Sequence, residues 1–218
     1  MGAQRPDVMI ANSENVKERI REYYDRDSLV IYPPVDIDNF RARESEDYFL
    51  AVQRPSPEKR PEMLLEIFRK VPKEKLILVG DYIDKDYIAR IGNLVDKLNN
   101  VTWLRNVSQA ELIDLYSHCK ALIQTAEYED FGVAPVEAMA SGKPVIAVDE
   151  GGFKETVLGG ETGILVKKPY IENFINTIRN FDFFDFSPKI CEQRARMFSK
   201  EKFIKKMKMI VKNVLASS

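Results

Sequence analysis

"ALIQTAEYEDFGVAPVEAMASGKPVIAV" runs from Ala121 to Val148 and sets a helical pattern between two apolar runs. Residues 121–125 and 144–148 are short and nearly continuous in apolar side chains, which suits strands covered on both faces. Pro135 stands where a first helical turn tolerates proline, and Ser141-Gly142 with Pro144 beyond supplies a stop. The spacing therefore predicts a helix over 134–141. Strand, helix and strand in so short a stretch favour two parallel strands joined by a crossover helix.

The same alternation continues outward in both directions. "YFLAV" (48–52), "KLILVG" (75–80), "VTWL" (101–104) and "GILV" (163–166) are further strand-like runs. Helical patterns fall at 61–70, opened by Pro61, at 84–98, and at 108–118, where Ser108 and Glu111 have capping-box spacing. The fold class that follows is α/β, a Rossmann-like doubly wound parallel sheet. Ligands are then expected at the carboxyl ends of its strands.

Composition excludes several other classes. Apolar residues make up 44% and charged residues 31%, an ordinary globular balance. The net charge of -1, from 33 basic and 34 acidic residues, lacks the basic excess of a nucleic-acid binder. Cys119 and Cys191 are too few for a disulfide framework, so a reduced, cytoplasmic setting is expected. No apolar run reaches membrane-span length, and the start "MGAQRP" puts Pro6 where a myristoylation motif needs Ser or Thr.

The loop between strand 121–125 and its helix concentrates the chemistry. Gly132 permits close backbone approach, and free amides at Gly132 and Val133 at a helix N-terminus make an anion site. Glu129 lies before these amides and Glu137 about a turn into the helix. Carboxylates repel phosphate but accept well from vicinal hydroxyls. An anion site flanked by both suits a diphosphate with a sugar at each end, the form of a nucleotide sugar. "AVQRPSPEKR" (51–60) leaves the first strand on the same edge and offers Arg54 and Lys59 to the phosphates. No Asp-x-Asp or histidine cluster is present to hold a metal, and no cofactor is expected.

"EDFGVAPVEAMASGKPVIAVDEGGFKETVLGGETGILV" resembles the donor-binding signature of the family-four retaining glycosyltransferases, which have the two-domain GT-B architecture. The pattern of two glutamates separated by seven residues falls at Glu129 and Glu137, the Gly-Gly-x-x-Glu loop at Gly151 to Glu155, and the Thr-Gly-apolar stretch at Thr162-Gly163-Ile164. "VGDY" (79–82), "VTWLRNVSQAELIDLYSHCKALI" (101–123) and the Arg54/Lys59 pair extend the likeness, as do "ANSENVKERI" and "VIYPPVDIDNF" nearer the start. The resemblance implies that Glu137 holds the ribose hydroxyls and that Glu129 faces the donor sugar. It also implies that the amides of Phe131, Gly132 and Val133, with Arg54 and Lys59, hold the diphosphate. The turn Arg105-Asn106-Val107 would pack on the base. Three positions depart from the family: Gln53, Arg60 and Arg105 stand where glycine is usual, which leaves the base preference open.

The flanks read differently. Residues 8–13 look like a strand ending in a cap, a helix follows to about Tyr24, and Pro33-Pro34 makes 29–40 an extended connection. The expected division is a remnant of an N-terminal acceptor domain with its linker (1–44), the donor-binding domain (45–198), and a C-terminal amphipathic helix (199–218). The C-terminal patterns are 170–180, 188–198 and 200–215. The last carries Phe203, Met207, Ile210 and Val214 as one stripe with five lysines elsewhere. Packing on its own domain with a solvated lysine face is the leading expectation; contact with an anionic membrane surface is the alternative. His118 and the "NFDFFDF" corner (180–186) read as structural, and Glu155 as either a cap or an ion-pair partner.

These readings imply retaining transfer of a hexose, mannose being common in the family, from a GDP- or UDP-linked donor to a saccharide or lipid-linked saccharide. The resemblance places the acceptor site, and usually a catalytic histidine, in an N-terminal domain, while the only histidine here is His118. The rival reading is a noncatalytic nucleotide-sugar module needing a partner domain, with self-association as a further expectation. A nicotinamide-dependent dehydrogenase is disfavoured because no Gly-x-Gly-x-x-Gly follows a strand pattern. A sugar epimerase would need acid–base groups that the sequence does not display.

Overall fold

The computed structural model describes residues 4–217. The Met1-Gly2 start considered for acylation lies outside the described residues, as does Ser218. Six strands form one all-parallel sheet: β3 (Phe49–Val52), β4 (Leu76–Val79), β5 (Val101–Leu104), β6 (Leu122–Gln124), β7 (Val145–Val148) and β8 (Gly163–Val166). They correspond to the six apolar runs named above. The spatial order is β5-β4-β3-β6-β7-β8, so the chain winds outward from β3 and then returns to wind outward on the other side. Between β3 and β6 the direction reverses, the position where open α/β sheets form a ligand crevice.

Crossover helices cover the sheet: α2 (Pro61–Lys70), α3 (Lys85–Val95), α4 (Gln109–His118), α5 (Val133–Ala140), α6 (Phe153–Thr156) and α7 (Ile171–Arg179), followed by α8 (Pro188–Ala195). Three have a local cause at their start. Pro61 occupies the first position of α2, Asp84 caps α3 by accepting from the amides of Asp86 and Tyr87, and Ser108 with Glu111 forms the expected capping box of α4. Gly142, at φ 70°, ends α5. Phe49, Leu50, Ile67, Phe68, Leu122 and Ile146 have no exposed surface and make one continuous core. Burying each such side chain stabilises the fold by roughly 1.5–3 kcal/mol.

Three details differ from the sequence reading. The Gly151 to Glu155 stretch, read as a loop, turns at its two glycines and then enters α6, whose Phe153 is buried in the core with no exposure. The helix expected over 84–98 ends at Val95, and that over 188–198 gives way at Ala195 to a 3₁₀ turn over Arg196–Phe198. The "NFDFFDF" corner is only partly packed: Phe181 meets Phe49 edge-on at 5.4 Å, while Phe183 is 86% exposed.

Residues before β3 make a second, two-stranded parallel sheet, β1 (Ile10–Ala11) with β2 (Leu29–Val30), joined by α1 (Glu14–Tyr24). The connection beyond β2 is extended, and its Val35 and Phe40 join the main core. At the other end, α9 (Lys200–Ser217) is held at its start by the bridge between Val35 and Ser199. Its stripe of Phe203, Met207, Ile210 and Val214 is only half-buried, and Ile204, Met209, Val211 and Leu215 are exposed. Among the described residues no helix is long and apolar enough to cross a membrane.

Candidate active site

The loops leaving β3 and β6 meet across the point where strand order reverses, and hydrogen bonds to backbone carbonyls sew them together. The Glu127 amide donates to the Glu58 carbonyl at 2.8 Å, and Thr125 Oγ1 donates to the Lys59 carbonyl at 2.9 Å. Gln53 Nε2 reaches the same carbonyl at 3.2 Å. Lys59 ends a short 3₁₀ turn (Pro57–Lys59), which aims its side chain toward β6. Its Nζ lies 2.6 Å from Glu129 Oε2, with the two side chains 19% and 17% exposed. The structure thus joins two of the residues that the sequence singles out separately.

Arg60, one of the three departures from glycine, has φ 51°. That left-handed conformation suits glycine and strains other residues by about 1–2 kcal/mol. The arginine holds it with an ion pair of its own, Nη2 to Glu127 Oε2 at 2.6 Å, between the same two loops. Arg54 is exposed, and among the described residues its side chain makes no ion pair with the other site residues; its charge lowers the pKa of Glu58 in a minor way beside the Ser56 hydroxyl bond.

α5 begins at Val133 behind Gly132, whose φ of 89° turns the chain into the helix without a side-chain cap. The amides of Phe131, Gly132 and Val133 meet no acceptor among the described residues. Phe131 itself is buried and stacks on Tyr32 with centroids 5.5 Å apart, which pins the loop. Uncapped amides at a helix N-terminus attract an anion.

Glu137 projects within α5 toward α4. Tyr116, fully buried, donates its hydroxyl to Glu137 Oε2 at 2.7 Å. Burial pushes the Glu137 carboxyl above the usual range, and the Tyr116 bond opposes that rise. The Tyr116 phenol is itself driven well above its ordinary value by burial and then by the neighbouring carboxylate. One oxygen of Glu137 is thereby engaged by the phenol. Sequence reading misses Tyr116, which looks like any apolar-face position of α4; only its hydroxyl on a buried face hints at a partner.

At the end of β5, Arg105 folds back, 2.7 Å from Asp81 and over the Trp103 ring at 5.5 Å. Asn106 takes the left-handed conformation, φ 54°, and turns the chain toward α4. Asn106 and Val107 line an open cleft of about 520 Å³ with Leu104, Glu111 and Leu115. Lys59, Glu129 and the 131–133 amides thus follow the carboxyl ends of β3 and β6, the turn at Asn106 and Val107 follows that of β5, and Glu137 lies about a turn into α5. His118 sits at the end of α4 with its Nδ1 3.0 Å from the Asp114 carbonyl, one turn back in the same helix.

The family model described as "Glycosyl transferases group 1" matches residues 34–182. O-antigen chain mannosyltransferase RfbU of Salmonella typhimurium is 35% identical over 167 residues, covering 73% of this chain and 47% of RfbU. The sucrose-phosphate synthase structure from Thermosynechococcus elongatus superposes with TM-score 0.88 at 23% identity, covering 99% of this chain and 60% of that one. Anabaena HepE, solved in complex with UDP-glucose, superposes with TM-score 0.82 at 22% identity, over 97% of this chain and 65% of that one. The chain spans less than half the length of the curated relatives it matches. Its sheet is the Rossmann-like C-terminal half of a GT-B fold.

Proposed function

The chain belongs to the group 1 glycosyl transferases, and from that premise we propose that it is the donor-binding half of a retaining hexosyltransferase using a nucleoside diphosphate sugar. Mannose is the sugar we favour, because RfbU is named a mannosyltransferase. The acceptor in this reading is a saccharide or lipid-linked saccharide. The observation that carries the proposal is the Lys59–Glu129 contact at 2.6 Å beside the uncapped 131–133 amides.

The chemistry follows from where charge develops. As the bond between the anomeric carbon and the phosphate oxygen breaks, its electron pair passes to the leaving diphosphate. Lys59, Arg54 and the 131–133 amides stabilise that charge, strongest where fixed dipoles and cations are already in place. Glu129 turns its free oxygen to the donor sugar's hydroxyls while sharing Lys59 with the phosphate. Glu137 accepts from the ribose hydroxyls, and the cleft at Asn106 and Val107 receives the base. The cations and the helix terminus supply the electrostatic role in this scheme, without a metal or other cofactor.

Transfer also needs an acceptor oriented against the anomeric carbon, a large part of any rate enhancement. In our reading that surface belongs to an opposing N-terminal domain. Residues 1–44 then belong to that domain and its linker, 45–198 bind donor, and the C-terminal helix returns across the cleft. We place the protein in the cytoplasm, α9 being the element that would touch a membrane surface. Calorimetry with UDP-, GDP- and ADP-sugars in chelator tests the donor site; absence of binding at millimolar ligand overturns it. Binding without transfer by this chain, with turnover restored by an acceptor domain in trans, is the expected outcome. Efficient transfer by the chain alone would overturn the division of labour.

A further inference from the structure

The Gly-Gly-x-x-Glu stretch has no part in the donor chemistry above, yet its carboxylate has a defined seat. Glu155, in α6, accepts from the backbone amides of Glu14 and Asn15, both at 2.8 Å. These residues open α1, where amides have no intrahelical acceptor, and Ser13 Oγ takes a third amide, that of Val16, at 3.0 Å. A carboxylate in that position is favoured by both the amides and the helix dipole. Arg194 fixes the other side of α6, its Nε donating to the Thr156 carbonyl at 3.0 Å.

The same end of α1 reaches the loop after β6. Asn15 Nδ2 donates to the Glu129 carbonyl at 3.3 Å, and Arg19 pairs with Asp130 at 2.5 Å. The Gly152 amide donates to that Glu129 carbonyl at 2.8 Å. A Cβ on Gly152 would stand 2.4 Å from Phe131 Cα, and one on Gly151, at φ 54°, would stand 2.5 Å from the Glu129 oxygen. The two glycines thus lie flat on the backbone of 129–131 and leave it no slack. α1 gains no support from the main ladder, since β1 and β2 form a separate sheet.

We propose that Glu155 and Asn15 are positioning residues for the donor site: docking of α1 on Glu155 holds the 129–131 backbone in the shape that aims the amides of 131–133. The inference rests on the donor reading. By linkage, a diphosphate on those amides tightens the docking of α1, and docked α1 tightens the diphosphate.

The test compares Glu155→Gln and Asn15→Ala with Phe68→Leu, a core change at the opposite edge of the sheet, where Asn100 Nδ2 bonds the Phe68 carbonyl just before β5. GDP and UDP are the probes, with calorimetry, thermal melting and amide NMR. Glu155→Gln leaves one α1 amide without an acceptor, and affinity should fall about tenfold, the scale of one charged hydrogen bond. Asn15→Ala should give a smaller loss in the same direction. In wild type, nucleotide should shift the Glu14 and Asn15 amide resonances, and in Glu155→Gln it should not. Phe68→Leu should melt lower yet bind as wild type. Unchanged affinity in Glu155→Gln, or equal weakening by Phe68→Leu, overturns the inference. Should neither nucleotide bind wild type, the donor reading fails; the unliganded 131–133 resonances then decide the positioning claim, supporting it if Glu155→Gln shifts them and refuting it if they are unmoved.

Discussion

Glu129 and Glu137 are eight residues apart in sequence and lie in contrasting surroundings. Glu129 sits on a loop, faced at 2.6 Å by a lysine from another loop. Glu137 sits on a helix packed into the core, faced at 2.7 Å by a fully buried phenol. A carboxylate beside a cation responds to any anion that competes for that cation. One beside a buried hydroxyl responds to its own desolvation. The two glutamates of one motif should therefore fail in different ways when their partners are altered.

Removing the cation should have the largest effect. Lys59→Ala leaves Glu129 unpaired where the proposed donor's diphosphate would also bind, so GDP and UDP affinity should drop about a hundredfold, roughly 3 kcal/mol. Glu129→Ala releases Lys59 instead. Free GDP should then bind as well as before or better, while the intact sugar nucleotide loses about tenfold. Calorimetry showing equal losses for both ligands in both variants would erase the distinction.

On the helix side, affinity and stability should move in opposite directions. Glu137→Gln should weaken GDP and sugar nucleotide alike, by about tenfold. The raised pKa of Glu137 means that its contribution to stability is fully present below the ordinary glutamate value of about 4.3 and is lost as pH rises through the folded value. Gln lacks that loss, so the variant should melt higher than wild type at neutral pH and equal to it in acid. Tyr116→Phe removes the bond that opposes the rise and should destabilise by about 1 kcal/mol at neutral pH. A difference between Glu137→Gln and wild type that ignores pH would contradict the burial account.

The smallest effect is expected at the junction beneath both glutamates. Arg60→Gly relieves a left-handed φ of 51° but breaks the pair with Glu127. Strain relief of about 1–2 kcal/mol offsets a partly exposed ion pair worth about 0–1 kcal/mol and the added freedom of glycine in the unfolded chain. Denaturant midpoints should therefore shift by no more than about 1 kcal/mol. A larger loss would make Arg60–Glu127 a main tie between the two loops, and Lys59–Glu129 less independent than supposed.

Elements with strong local signals were readable from the chain. The six sheet strands come from continuous apolar runs, and α4 comes from its Ser108/Glu111 box. The departure at Arg60 was visible as a missing glycine, and the structure supplies its meaning as a left-handed residue held by an ion pair. α6 was not readable because four residues carry no period; Phe153's burial makes it a helix. α9 showed a stripe, but pattern alone does not say how deeply a stripe is buried, and here it is only half covered.

The sequence by itself determined the α/β class and the order of strands and helices along the chain, and it singled out Glu129 and Glu137 as candidates, because periodicity, caps and turn residues are local properties. Tertiary structure alone decided the partners. Lys59 meets Glu129 because β3 lies beside β6, Tyr116 meets Glu137 because α4 packs near α5, and Glu155 meets α1 across most of the chain. Strand order and helix packing come from closing one core over distant segments, and no short stretch of sequence specifies which loops that closure brings within hydrogen-bond reach.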